Sequence, residues 1–112
     1  MSTACHRDNM HDSRRSPAAR ILACFDISRD LISQNQLGME DVFSVCVRLR
    51  NACRLAHDAL TGAYDEREQC EALANIRLDA ENLNAKLDRS QDCEAILAVV
   101  GDIGARHYRW DA

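Results

Sequence analysis

The stretch that most limits what this chain can fold into runs from Val42 to Leu60. Val42, Cys46, Leu49, Cys53, Ala56 and Leu60 follow one another in steps of 4, 3, 4, 3 and 4. Such steps put all six side chains on one side of an α-helix. Phe43, Val45, Ala52 and Ala59 widen that apolar side, while Ser44, Asn51 and Asp58 fall on the back. A helix with so wide an apolar sector has to lie between neighbours.

A second seam, Leu73, Ile76, Ala80, Leu83 and Leu87, steps 3, 4, 3 and 4. It predicts a long helix from about residue 65 to 89, opened by Asp65, Glu66 and Glu68, which favour the positive end of a helix dipole. Two further helices complete the set. Ser16 and Pro17 make a cap and first turn for one running to about Leu37, stopped by Gly38. Its buried side is Ile21, Cys24, Phe25, Ser28, Leu31 and Ile32, and its exposed side Arg20, Asp26, Arg29, Asp30 and Ser33. Ser90 caps the other, with Cys93, Ile96, Leu97, Val100 and Ile103 inward and Gly101 and Gly104 weakening its end. The expected fold is all-α: a single-domain bundle of three to four helices with two long antiparallel central ones. Residues 1–15 have no periodicity and read as a flexible tail ahead of a 16–112 bundle domain.

Composition agrees with an all-α class. The 112 residues include one proline and four glycines, and aromatics make up only 4%. A net charge of -4 opposes binding to nucleic acid or to an anionic membrane. Only Lys86 among the 14 basic residues is lysine, a bias that points to a GC-rich bacterial or phage coding sequence. The polar N-terminal stretch offers no signal core, and no run is long enough to span a bilayer, so a cytoplasmic protein is expected. Four of its six cysteines, Cys24, Cys46, Cys53 and Cys93, sit at core spacing and read as reduced, hydrophobic thiols.

Motifs for chemistry are scarce. There is no glycine-rich phosphate loop, Gly-x-Ser-x-Gly elbow, His-Glu-x-x-His helix or Cys-x-x-Cys pair, and no enzyme, cofactor or metal is expected. Cys53 and His57 are four residues apart on one helix, the spacing at which an imidazole can activate a thiol. The position of Cys53 in the seam argues instead for a buried, inert group. Cys5, His6 and His11 supply three metal-type donors without a fourth. Placing Gly38 as the turn of a helix-turn-helix puts Gln34 and Ser44 at positions that need small or apolar residues, so that reading fails.

Partner-type features remain. Asp65, Glu66, Glu68 and Glu71 make the third helix acidic, and residues 63–90 hold seven acidic and four basic side chains. Arg50, Arg54 and His57 form a basic stripe beside the central seam, with Arg48 round the corner, and the acidic helix is the expected cover for it. Tyr108, Arg109 and Trp110, which follow His107, are residue types that dominate binding hot spots. These features lead to a small acidic protein–protein interaction module: a non-enzymatic inhibitor or adaptor of a larger partner such as a nucleic-acid-handling complex. An anti-CRISPR-like phage anti-defence protein is one form of it. A homodimer is the companion expectation, since a second copy can complete seams this regular. The alternatives are a nucleic-acid-binding regulator using Arg48, Arg50 and Arg54, and a cysteine/histidine metal or thiol protein.

Overall fold

The computed structural model describes residues 9–34 and 40–110. Helices α1 (Pro17–Gln34), α2 (Glu40–Thr61), α3 (Glu66–Lys86) and α4 (Gln91–His107) follow in chain order. Residues 9–11 are helical as well, one more helix than the sequence suggested, and no strand occurs among the described residues. The all-α class is as expected. No helix among those residues is long and apolar enough to cross a membrane.

The helices run up and down in turn. Lys86, at the end of α3, pairs with Asp41 at the start of α2 at 3.4 Å, so those two long helices are antiparallel. Arg20, early in α1, reaches Asp102, late in α4, at 2.8 Å, which closes the ring. The longest dimension is 38 Å. A helix the length of α2 spans about 33 Å, so the helices lie side by side rather than end to end.

Both sequence seams are the core. Cys46, Leu49, Cys53 and Ala56 of α2 and Leu73, Ile76, Ala80 and Leu83 of α3 are fully buried, with Leu60 and Leu87 packed at the edges. Ile21, Ile27, Ile96, Val100 and Ile103 fill in from α1 and α4. The caps match their residues too. Asp65 Oδ1 accepts from the Glu68 N–H at 2.8 Å. Ser90 Oγ accepts from the Cys93 N–H at 3.3 Å. Helix α3 stops at a left-handed Asp88 (φ 52°). There the Arg89 N–H returns to the Asn84 carbonyl at 2.9 Å and the Asp88 N–H to that of Ala85 at 3.3 Å. This is the closing pattern of a Schellman motif, with aspartate where glycine is usual.

Three details differ from the sequence reading. Arg20, expected on the exposed side of α1, is 3% exposed. Its Nε donates to the Met10 carbonyl at 2.9 Å and its guanidinium meets Asp102, so the charge is buried with its partners supplied. Phe43, expected to widen the apolar side of α2, is 40% exposed. Helix α4 runs past both glycines to His107, with the Trp110 ring packed on Gly104. Within the expected tail, Met10 is fully buried under Arg20. The helix stop assigned to Leu37 and Gly38, and the donors Cys5 and His6, lie outside the described residues.

Candidate interaction surface

The N-terminal half of α3 stands out as a ridge because each of its flanks borders a groove. Its inner side is the seam. Its first turn carries Glu66 and Glu68, both exposed, at the positive end of the helix dipole. Glu71 tops the ridge and lines both grooves. Its partner on the same helix is Arg67, at 3.3 Å, with side chains 64% and 87% exposed. A pair so open to water contributes little to stability and leaves the carboxylate available to another molecule.

The groove on the α2 side measures about 470 Å³. Ala52, Ala59 and Ala72, whose side chains end at Cβ, line its base, with Ala52 and Ala59 buried. Leu55 (58% exposed) and Tyr64 (49% exposed) stand in its walls. Asp58, Glu68, Glu71 and Asp79 set four carboxylates around it against the one guanidinium of Arg48. Partial burial raises the pKa of Asp79, and Arg48 opposes that rise. A carboxylate ionised in such a place lacks part of its hydration.

On the other flank, a wider groove of about 800 Å³ is bounded by Glu66, Cys70, Ala74, Arg77, Arg109 and Trp110. The chain turns back beyond α4 through Arg109, whose φ is 57°. The Trp110 N–H then bonds to the Gly104 carbonyl at 3.0 Å. The indole lies directly on Gly104, where a methyl group would overlap its ring. Indole Nε1 donates to Cys70 Sγ, and the Arg77 guanidinium sits 4.6 Å from the ring centroid. Tyr108 donates its hydroxyl to Gln69 Oε1 at 2.8 Å. Burial is the main cause that raises the Tyr108 pKa, so the phenol stays protonated at neutral pH. The C-terminal aromatics therefore fasten α4 to α3.

The sequence-derived residues divide between these places. Glu68 and Glu71 meet at the first groove; Glu66, Glu71, Arg109 and Trp110 meet at the second. Asp65 is engaged as the cap of α3. Arg50 and His57 are half-buried and Arg54 exposed, and none of the three lines either groove. Arg50 bonds to Asn51 Oδ1 at 3.4 Å. Arg48 of α2 acts on an α3 carboxylate, Asp79. Sequence reasoning passed over Leu55, Tyr64 and Asp79. The available signal was the run Ala52, Ala59 and Ala72, small residues that seal a core and leave a hollow outside it.

The thiols are placed for packing. Burial pushes Cys24 up to about 12 and Cys93 up to about 11, and raises Cys46 and Cys53 as well. For Cys53, neighbouring Cys24 and Asp79 add to the rise. This is opposite to the activation that a Cys53–His57 nucleophile requires. Among the described residues no three His, Cys, Asp or Glu side chains converge as metal ligands. In a Cys5→Ser chain treated with a thiol-exchange reagent at pH 8, half-buried Cys70 should react first. Cys24, Cys46, Cys53 and Cys93 should react only as fast as the protein opens, and their rapid labelling would contradict this packing.

No family model, no curated protein and no solved structure matches the chain.

Proposed function

We propose that this chain is a non-enzymatic protein–protein interaction module, a cytoplasmic inhibitor or adaptor that sets the N-terminal half of α3 against a basic surface of a larger partner. The observation that carries this reading is the ridge itself, with Glu66, Glu68 and Glu71 exposed on one and a half turns between two grooves. Clustered exposed carboxylates steer association toward a positive patch and disfavour acidic partners. Where that patch is a nucleic-acid-binding groove, the module acts by occupying it, which is how an anti-CRISPR-like protein would work. The raised thiol pKa values support a non-catalytic role, since they withhold the strongest nucleophiles in the core from reaction.

The test is affinity capture from a bacterial lysate with the intact chain beside a Glu66→Gln/Glu68→Gln/Glu71→Gln variant. Asp65 is left in place because its loss would remove the α3 cap and cost about 1 kcal/mol. The intact chain should return one partner stoichiometrically, and the variant should lose most of it. Equal recovery by both, or salt-sensitive binding of the intact chain to DNA or RNA, would overturn the reading.

A further inference from the structure

We infer that the groove between α2 and α3 is a docking slot for a basic amphipathic helix of the partner. A small apolar stripe of that helix would lie on the alanine floor, and its lysines or arginines would face the rim. This rests on the interaction reading above and names the partner element. Shape and charge carry it together. Ala52 and Ala59 are seven residues apart on α2 and are buried, so the floor continues for about 10 Å along the helix, close to two turns of a docked helix. Helices seat against one another where small side chains let them approach, and a helix on this floor would pack against both α2 and α3. Leu55 and Tyr64 stand half-exposed beside the floor and supply apolar area for anchoring.

Charge selects the occupant. Four carboxylates and the Arg48 guanidinium line this groove, and even with Arg67 paired to Glu71 the rim stays net negative, so an acidic peptide or a nucleic acid would meet like charge. A second copy of this chain that docked the same face would bring the same carboxylates together. Asp79 adds a local reason, because a cation placed beside it would replace hydration that the groove has removed.

The probe is an 18-residue helical peptide of lysine, leucine and alanine with one apolar stripe, titrated into the 15N-labelled full chain. Two controls are a scrambled peptide of the same composition and a counterpart with glutamate for lysine. The basic amphipathic peptide should shift the amide resonances of Ala52, Leu55, Ala59, Ala72 and Asn75, and bind at least about tenfold more tightly than either control. Leu55→Gln and Asp79→Asn should each weaken it by about five- to tenfold. Leu55 is more than half exposed and asparagine matches aspartate in shape, so both variants should keep the wild-type melting temperature or exceed it.

Shifts confined to other faces would overturn the inference, as would equal binding of the scrambled or acidic peptide. Sedimentation that shows a dimer dissolved by Leu55→Gln would assign the groove to self-association instead. If lysate capture depends on Glu66, Glu68 and Glu71 but not on Leu55 or Asp79, the interaction reading stands and the groove assignment falls.

Discussion

Replacing Asp102 with alanine should destabilise the protein by about 2–3 kcal/mol, although Asp102 itself is a third exposed. The reason lies with its partner. The Arg20 side chain is 4% exposed and would keep a buried positive charge with, among the described residues, the Met10 carbonyl as its remaining hydrogen-bond partner. Arg106 holds the other oxygen of Asp102 at 2.7 Å and, being exposed, would return to water at little cost. Arg20→Met fills much of the same space without the charge, so the double variant Arg20→Met/Asp102→Ala should be less unstable than the sum of the two single changes. Chemical denaturation of the four proteins in the cycle measures that coupling. Additive losses would mean that the pair does not act as a unit.

Acid should act through the same pair. Hydrogen bonds from Arg106 and Arg20 lower the pKa of Asp102 below its ordinary value of 3.8. A carboxyl whose folded pKa is depressed contributes its full stability above the unfolded pKa, and the contribution disappears as pH falls through the folded value. Wild type should therefore lose stability below about pH 4 more steeply than Asp102→Ala does.

The second large effect is expected at Gly104. A methyl group there overlaps the Trp110 indole, while one on Gly101 meets nothing within 4 Å. Gly104→Ala should expel the ring, break the contacts with Cys70 and Arg77, and lower stability by about 2 kcal/mol. Gly101→Ala should raise it by about 0.5–1 kcal/mol through helix propensity alone. Trp110 is the only tryptophan, so its fluorescence reports the outcome directly. Emission should shift to the red in Gly104→Ala and stay unchanged in Gly101→Ala. Identical behaviour of the two variants would contradict the seating of Trp110 on Gly104.

These two sites also mark where the sequence stops being legible. The seams of α2 and α3 and the Ser90 cap are local features, set by helix periodicity and by nearby backbone N–H groups, and they were readable, whereas Asp65 was read as a first-turn charge on the helix dipole and is the N-cap itself. Arg20 was not, because a charge at the edge of an amphipathic helix is ordinarily solvated. Its burial depends on Asp102, 82 residues away. Gly104 read as a weak point in α4 because nothing local indicates that Trp110 folds back over it. The ridge carboxylates were visible as a charge cluster on one helix. The groove beside them was not, since it depends on how far alanines on two helices leave the surface unfilled.

The acidic ridge of α3 is proposed to meet a basic protein surface. Zero-length carbodiimide coupling tests this most directly, because it joins carboxylates to lysines in contact. Applied to the complex captured by the intact chain and read by mass spectrometry, it should link Glu66, Glu68 or Glu71 to lysines of the partner. Links arising instead from Asp26 or Asp30 on α1, with the ridge carboxylates unmodified, would place the contact on another face and contradict the account.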